Sequence, residues 1–398
     1  MTMRDRFSRL TSLSASLVLA LTVSATHLRA ESMPPGQTDQ ACGSPAAIDD
    51  GWEISSPDSV GMDGAKLCTI AARLAQRTTT VHSIVVVRHD KLVFEQYFPG
   101  YDQPWGQPDG QFEFTATTKH DMRSATKSVT SLLIGIAIDR KLIAGVDEPV
   151  LRFFPDYAAL KQPGWDAITL RHLLTMSSGF KWDEARAWTD PKNDEPRLVT
   201  EPDPLGYILS RPIAAPPDTL WTYSGGNTEL LGNIIERVSK QSLEAFAREA
   251  LFQPLGITDV EWKPYKNGKI AAAAGLRLRP RDAAKIGQLV LNRGQWNGRQ
   301  VVPADWIAQS ITPRFQAVGY FGGTLFYGYQ WWMGRSLAAG KEIKWVGAFG
   351  WGGQRIFIVP ELDLVMMTTT AQYGQPKEGL AAMDILSNIV IPSVRDAH

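Results

Sequence analysis

The chain has 398 residues, 44% of them hydrophobic, which is enough for a large buried core or for two to three average domains. Its 41 basic and 41 acidic side chains cancel, so no basic face for nucleic acid is expected. The six histidines and two cysteines are scattered, without H-E-x-x-H or a Cys/His zinc spacing. The sequence therefore predicts no metal site, and we expect no cofactor.

Residues 1–30 have the layout of a secretory signal peptide. Three arginines lie in MTMRDRFSRL, before an apolar stretch that ends near Ala25, and small residues follow. The apolar part is short for a membrane span. We predict a periplasmic or secreted protein with a mature chain of residues 31–398 and no stable membrane anchor after cleavage. An uncleaved amphipathic anchor is the alternative.

Export would place the two cysteines in an oxidising environment. Cys42 lies in the polar leader TDQACGSPAA, and Cys68 lies in the helix-like GAKLCTIAARLAQR. Either they pair and tie the N-terminal arm to the first helix, or Cys68 is a buried apolar residue and Cys42 stays free. Spacing does not decide between these alternatives.

The apolar pattern predicts strands at both ends of the chain and helices between them. SIVVVRHDKLVFEQYF alternates around a polar turn at His89-Asp90-Lys91 and predicts a β-hairpin. Helices are predicted from Ser124 to about Ile143, over ITLRHLLTMSSGF, TELLGNIIERVSKQSLEAFAREALF and PRDAAKIGQLVLNRG, and near KEGLAAMDILSNIVI. Residues 181–219 show no period and predict a long loop. QRIFIVPELDLVMMTTT predicts two terminal strands, so one sheet from both ends of the chain is expected.

The stretch RSATKSVTSLLIGIAI places Ser124 and Lys127 where an apolar helix begins. Residues i and i+3 share a helix face, so Lys127 can reach back to Ser124. Desolvation would lower the lysine pKa, and the amine could then take the serine proton. Free N–H groups of the first turn would bind an oxyanion. The pair predicts a nucleophile and its base, with an ordinary N-cap at Ser124 as the alternative.

The same S-x-x-K pattern occurs again at Ser178-Gly179-Phe180-Lys181. Gly179 is predicted to end the preceding helix, which puts Ser178 at the negative end of the helix dipole and Lys181 in a loop. We predict no chemical role for this second match. Such a short pattern occurs by chance in a chain of this length, so the motif alone decides nothing.

Two further segments give the first match its context: WTYSGGNTELLGNIIE, with Tyr223 in a loop before a helix, and the glycine-rich WVGAFGWGGQRIFIVPELDLV. Together with LRHLLTMSSGF, FQPLGI, LRPRDAAKIGQLVLNRGQWNGRQVV and YGYQWW, they resemble the penicillin-recognising serine hydrolases. The resemblance is specifically to class C β-lactamase-like proteins and their esterase, D-amino-peptidase and 6-aminohexanoate-dimer hydrolase relatives. It covers nearly all of the mature chain.

The resemblance implies roles for three residues. Ser124 matches the acylated nucleophile, Lys127 its proton acceptor, and Tyr223 the tyrosine that relays a proton to the leaving group and then helps to activate water. The alternative for Tyr223 is a loop tyrosine that only packs on the core. The usual Tyr-x-Asn is Tyr223-Ser224-Gly225 in this chain, and nearby Asn227 is not expected to replace the missing amide.

The third motif of the family departs further, because no Lys-Thr-Gly or His-Thr-Gly occurs. Two registers fit, at Trp345-Val346-Gly347 and at Ala348-Phe349-Gly350, and we prefer the second because GAFGWGG overlays the common GHTGFTG. In that register Gly350 borders the site, and the N–H of Trp351 completes the oxyanion hole with that of Ser124. Glycines that serve only a tight turn are the alternative. The missing Lys or His argues against penicillins and D-Ala-D-Ala ends as preferred substrates.

The resemblance implies an α/β fold of the α+β type, β-lactamase/transpeptidase-like. An antiparallel sheet from residues of about 50–115 and 230–398 is flanked by helices, with a helical subdomain at about 120–225 within the single domain 31–398. Residues 181–219 and YGYQWW are expected to wall an apolar cleft.

The predicted function is a secreted serine hydrolase that forms an acyl-enzyme on Ser124 and hydrolyses a small-molecule ester or amide, with a small carboxylic ester preferred. Alternatives are a β-lactamase, a D-Ala-D-Ala carboxypeptidase or a 6-aminohexanoate-oligomer amidase. A non-enzymatic alternative is an inactive penicillin-binding-like protein. The sequence leaves the oligomeric state open.

Overall fold

The computed structural model describes residues 42–76, 80–160, 162–338, 340–375 and 379–395, and the predicted signal peptide lies outside these ranges. The strands, in chain order, are β1 Glu53–Ile54, β2 Val81–Arg88, β3 Lys91–Tyr97, β4 Gly100–Asp102, β5 Gly110–Phe112, β6 His120–Asp121, β7 Glu261–Trp262, β8 Leu276–Leu278, β9 Gln295–Trp296, β10 Arg299–Gln300, β11 Phe315–Gln316, β12 Phe326–Tyr327, β13 Trp332–Ala338, β14 Lys341–Gly350, β15 Gln354–Val359 and β16 Leu364–Thr370. The helices are α1 Gly64–Ala75, α2 Thr126–Asp139, α3 Leu170–Leu174, α4 Asp194–Thr200, α5 Pro204–Leu209, α6 Gly225–Ser239, α7 Leu243–Ala247, α8 Pro280–Leu291, α9 Ala304–Ser310, α10 Leu380–Ile385 and α11 Ile391–Ser393.

One large sheet runs through the described residues in the order β1-β3-β2-β16-β15-β14-β13-β12-β11. Its strand pairs are antiparallel, except for the parallel pair of β1 and β3. In the middle, β2 from the N-terminal part pairs with β16 from the C-terminal part. The prediction of one antiparallel sheet built from both ends of the chain is confirmed.

The apolar run of β2 reflects burial on both faces of the sheet. Val85 and Val87 belong to a core shared with α2 and α8, whereas Ile84 and Val86 belong to a second core with α1 and α10. Successive side chains of a strand point to opposite faces, so a continuous apolar run fills both cores. The predicted hairpin is present, and its two turn residues have positive φ, 51° at His89 and 61° at Asp90, as a tight two-residue turn requires.

The helical layer is built around α2, which is buried along almost its whole length. It packs against α6 and α9, and α6 also packs against α3. A Cβ at Gly135 of α2 would lie 2.2 Å from the Trp306 ring of α9, so this close packing needs a glycine. The predicted boundary of the helical subdomain, about residue 225, falls where α6 begins, and the helical layer continues through α6.

The segment 181–219 contains two short helices, α4 and α5, where the sequence predicted a loop. The Asn193 side chain caps α4 by accepting from the Glu195 N–H, and Asp203 caps α5 by accepting from the Gly206 N–H. Each helix spans at most two turns, which is too short for a 3.6-residue apolar period to be visible.

Cys42, where the described residues begin, lies next to Cys68 of α1, and the disulfide alternative stays a prediction. The Cys68 Sγ lies 3.3 Å from the Cys42 carbonyl oxygen, and both residues are free thiols in the structure. Among the described residues, no helix is both long and apolar enough to span a bilayer.

Candidate active site

Ser124 and Lys127 lie in direct contact at the beginning of α2. Ser124 is in a 3-10 turn, Arg123–Ala125, that runs straight into the helix. Lys127 is only 1% exposed. Its Nζ donates to the Ser124 Oγ at 2.9 Å, and the Ala273 carbonyl accepts from it at 3.4 Å. A buried amine is thus held against a serine hydroxyl that borders a cleft.

The backbone directly before Ser124 is strained. Arg123 has φ 48°, a left-handed conformation that is uncommon for a residue other than glycine. Its guanidinium donates to the Gln103 carbonyl at 2.6 Å and forms an ion pair with Asp121 at 3.2 Å. Such strain persists only where surrounding contacts hold it and is typical of functional sites. These contacts hold the backbone that orients the Ser124 side chain.

Tyr223 completes a cluster with the other two residues. Its ring centroid lies 4.9 Å from the Lys127 Nζ, and it lines the same cleft as Ser124. Ser224 accepts from the Asn227 N–H and caps α6, so Tyr223 is held just before a helix, as the sequence predicted. The structure therefore brings together Ser124, Lys127 and Tyr223.

The electrostatics differ from the sequence-based expectation. Burial lowers the pKa of Lys127, but Tyr223 and the carboxylates of Glu184, Glu195 and Glu229 raise it and outweigh burial. The net pKa of Lys127 is above its usual range, so the free protein carries an ammonium at this position. Lys127 is buried as expected, but its pKa shifts in the opposite direction, because the helix sequence that predicted burial contains none of these carboxylates.

Two of these carboxylates have raised pKa values themselves. Burial raises the pKa of Glu184 to about 7, although it accepts from the Gly225 N–H and the Trp182 indole, each at 2.6 Å. Burial also raises the pKa of Glu229 to about 7, where it accepts from the Tyr265 hydroxyl at 2.7 Å. Both carboxylates are therefore partly protonated near neutral pH.

Sequence reasoning missed both carboxylates. Glu184 lies in the aperiodic segment, where nothing distinguished it from the other acidic residues. Glu229 left a faint signal, because it is an acidic side chain among the buried positions of α6.

Gly350 and Trp351 lie at the end of β14, next to the segment that carries Ser124. A Cβ at Gly350 would lie 2.1 Å from the Met122 carbonyl oxygen, so only glycine allows this approach of strand and turn. Both residues line the same cleft as Ser124 and Tyr223, with a volume of about 460 Å³. In the other register, Trp345 is buried in a core and its indole donates to Ser336. The preferred register is the one that faces the cleft.

The walls of the cleft are aromatic, as expected from the segment 181–219 and from YGYQWW. Trp188 stacks on Trp351 with ring centroids 5.5 Å apart, and Trp332 lies on the other side, 5.5 Å from Tyr223. The cleft is nevertheless not purely apolar, because four charged side chains also line it: Glu184, Arg186, Glu195 and Arg355. The guanidinium of Arg355 donates to the Gly350 carbonyl at 2.7 Å.

The second S-x-x-K match lies elsewhere. Ser178 is buried and donates to the Asn227 Oδ1 at 2.8 Å, while Lys181 is exposed. Gly179 between them has φ 77°, which breaks the helical spacing. Asn227 is fully buried, and its amide nitrogen contacts the Met176 sulfur, so it does not face the cleft.

Comparison with known proteins identifies the family of this chain. Residues 69–387 match the family described as Beta-lactamase. A lovastatin esterase from Penicillium rubens is 29% identical over 194 residues, which cover 44% of this chain and 46% of the esterase. The match therefore spans less than half the length of that curated relative.

Solved structures share the fold at low sequence identity. A protein described as a 6-aminohexanoate-dimer hydrolase from Bacillus anthracis superposes with a TM-score of 0.65 at 22% identity, over 81% of this chain and 80% of that one. A class C β-lactamase from Rhodobacter sphaeroides gives a TM-score of 0.60 at 17% identity, over 82% of this chain and 100% of that one. Since the family match covers more than half of the sequence and the fold agrees, the chain belongs to the β-lactamase family of serine hydrolases.

Proposed function

We propose that the protein is an exported serine esterase that forms an acyl-enzyme on Ser124 and hydrolyses small carboxylic esters with apolar acyl groups. The observation that carries this proposal is the 2.9 Å contact between the buried Lys127 Nζ and the Ser124 Oγ at the beginning of α2, open to an aromatic cleft. A serine is a poor nucleophile unless a neighbouring group takes its proton.

Acylation proceeds by attack of the Ser124 Oγ on the ester carbonyl carbon while a neutral Lys127 accepts the serine proton. The N–H groups of Ser124 and Trp351 bind the oxygen on which negative charge develops. Tyr223 protonates the departing alkoxide and regains a proton from Lys127. In deacylation Tyr223 passes a proton from water to the neutral Lys127, the hydroxide attacks the acyl carbon, and Lys127 returns the proton through Tyr223 to the departing Ser124 Oγ, which releases the acid.

The resting charge state determines how the rate depends on pH. Lys127 carries a raised pKa, so the ammonium must lose a proton before Ser124 can react. The second-order rate constant should therefore rise with pH on the alkaline side of neutrality. Glu184 and Glu229, both with a pKa of about 7, are buried groups near Lys127 that also lose their protons as the pH rises through this range.

Support for an ester over a β-lactam comes from what surrounds the nucleophile. A β-lactam needs its carboxylate held, and the third motif supplies Ala348 where the family commonly has Lys or His. Arg355 lines the cleft, but its guanidinium is already bonded to the Gly350 and Gln354 carbonyls. Aromatic walls favour apolar acyl groups. The lovastatin esterase is a relative whose name describes ester hydrolysis.

The test compares p-nitrophenyl acetate and butyrate with nitrocefin. We expect kcat/KM for the better ester to exceed that for nitrocefin by at least about tenfold, a transition-state preference of about 1.4 kcal/mol. Efficient nitrocefin turnover with poor ester turnover would reverse the proposal. A fluorophosphonate probe separates both outcomes from an inactive binding protein, because it labels only an activated serine.

Export is a separate part of the proposal and has its own test. The N-terminal layout of arginines, apolar stretch and small residues supports cleavage after Ala25 or Ala30. Fractionation of expressing cells, followed by N-terminal sequencing, should find the mature chain outside the cytoplasm. An uncleaved chain in the cytoplasm would contradict export and leave the esterase assignment untouched.

A further inference from the structure

Three buried side chains from separate strands converge behind the cleft: His82 of β2, Asp102 of β4 and His120 of β6. They are 0%, 3% and 1% exposed, respectively. The His82 Nδ1 lies 2.9 Å from the His120 Nε2, which lies 3.4 Å from the Asp102 Oδ2. All three ligand atoms lie within 4.8 Å of one another. Neither the acylation chemistry nor the walls of the cleft use this cluster.

In each imidazole, the outer nitrogen, which faces away from the other ring, is hydrogen-bonded to a backbone carbonyl oxygen. The His82 Nε2 is 3.1 Å from the Tyr101 carbonyl oxygen, and the His120 Nδ1 is 3.1 Å from the Asp121 carbonyl oxygen. A carbonyl oxygen only accepts, so both outer nitrogens carry the hydrogen. In two neutral rings the inner nitrogens then face each other with their lone pairs, which repel. A metal ion or a proton between the two nitrogens would remove this repulsion.

We propose that His82, Asp102 and His120 bind one divalent transition metal ion, zinc in particular. Donor atoms about 2.0–2.1 Å from a tetrahedral zinc are about 3.3 Å apart. Two of the three donor separations, 2.9 and 3.4 Å, fall on either side of that value, and the third, between His82 and Asp102, is within 4.8 Å. Two imidazoles and a carboxylate are donors that zinc takes.

The outer contacts match those of a metal site. Histidine ligands usually donate their second N–H to a carbonyl or carboxylate, as both rings do in this protein. The other carboxylate oxygen of Asp102 accepts from the Tyr373 hydroxyl at 3.0 Å, which holds this ligand in place as well. A proton shared between the two rings is the competing explanation. In that case Asp102 would be the counterion of the protonated pair, so the metal content of the protein decides between the two explanations.

The location gives the ion a structural role next to the nucleophile. His120 precedes Ser124 on the same segment, and the Tyr373 ring lies 5.0 Å from the Trp351 ring and 5.1 Å from the Arg123 guanidinium. An ion would tie β2, β4 and β6 to the residues that flank the cleft. The sequence predicted no metal site because spacing rules detect ligands that are close in sequence, whereas these ligands lie on three strands.

The experiment uses the full-length chain expressed without a polyhistidine tag and purified without chelator, so that any bound metal belongs to the protein. Elemental analysis should find about one equivalent of zinc per chain. Removal with dipicolinate should lower the unfolding temperature by about 5 °C or more, and added Zn²⁺ should restore it. Co²⁺ added to the stripped protein should give a visible absorption band that saturates at one equivalent.

Variants locate the site. Asp102→Asn and His120→Gln should each lose the equivalent of metal, whereas His89→Gln, an exposed histidine paired with Asp363, should keep it. Metal retained by both Asp102→Asn and His120→Gln would overturn the assignment. A wild-type protein that holds no metal, takes up neither Zn²⁺ nor Co²⁺ and unfolds at the same temperature with chelator would also overturn it, in favour of the shared proton. If His120→Gln does not fold, the wild-type measurements and Asp102→Asn decide.

Discussion

The chain carries the pattern S-x-x-K twice, and the two copies have different structures. At the first, Ser124 precedes a buried helix, and the Lys127 Nζ lies 2.9 Å from the serine hydroxyl. At the second, Gly179 turns the backbone with φ 77°, Lys181 is exposed, and the Ser178 hydroxyl donates into the core at Asn227. The serine and the lysine are three residues apart in both copies, but only in the first copy do they lie on one face of a helix.

The difference shows which structural features the S-x-x-K motif needs in addition to its serine and lysine. A helix that begins at the serine brings the lysine back by one turn and leaves N–H groups free for an oxyanion. Burial then removes competing water from the amine. The second copy has neither property, because α3 has already ended at Leu174 and Lys181 is exposed. The second copy therefore serves as an internal control for the proposed reaction centre at the first.

The largest expected effect separates the two serines. Ser124→Ala should lower kcat/KM for p-nitrophenyl butyrate by at least about 10⁴-fold, because no acyl-enzyme can form. Ser178→Ala should keep the rate within a few-fold and lower the free energy of unfolding by about 1–3 kcal/mol, since it leaves the buried Asn227 oxygen without its donor. Intact-mass analysis with a slow substrate checks this, and an adduct on Ser124→Ala would refute the mechanism.

The two lysines should differ next. Lys127→Arg should be nearly as damaging as Lys127→Ala, with a loss of about 10³-fold or more, because a guanidinium stays charged and cannot accept the serine proton. Lys181→Ala should have no measurable effect on turnover. Steady-state kinetics decides, and a Lys127→Arg variant with most of its activity would mean that the lysine acts only through its charge.

Tyr223 tests whether the first copy needs a third member. Tyr223→Phe should lower kcat by about 10²–10⁴-fold, the range for a lost proton-transfer group. The ring packing against Trp332 and Tyr320 is retained, so the unfolding temperature should change little. A variant that loses stability in step with activity would favour the alternative of a tyrosine that only packs.

The smallest predicted effect concerns Glu184, one of the carboxylates that raise the Lys127 pKa. In Glu184→Gln the Lys127 pKa falls, so more of the neutral amine is present at a given pH. The ascending limb of kcat/KM against pH should move to lower pH. The shift should be clearest above about pH 7, where the native carboxylate, with a pKa of about 7, is ionised.

Glu361→Gln, at an exposed position in the turn after β15, is the matched control and should leave the profile in place. A limb that moves to higher pH in Glu184→Gln would contradict the assigned electrostatics, as would an equal shift in the control.

Much of the fold follows from local patterns. The β2–β3 hairpin, the paired strands β15 and β16, and the beginning of α2 are all encoded by contiguous residues, whose alternation or helical period directly reflects burial. Local reasoning failed at α4 and α5, whose few residues are too short for a period.

What the sequence by itself determined is therefore the scaffold and the contact between Ser124 and Lys127, because the two residues are one helical turn apart. Only the tertiary structure decided the charge of that pair, since Glu184 and Glu229 reach Lys127 from other segments. It also decided which glycine segment faces the cleft, and it alone brought His82, Asp102 and His120 together. A pKa or a ligand set depends on distances of a few ångströms in space. Residues far apart in the chain acquire such distances only when the sheet and helices pack.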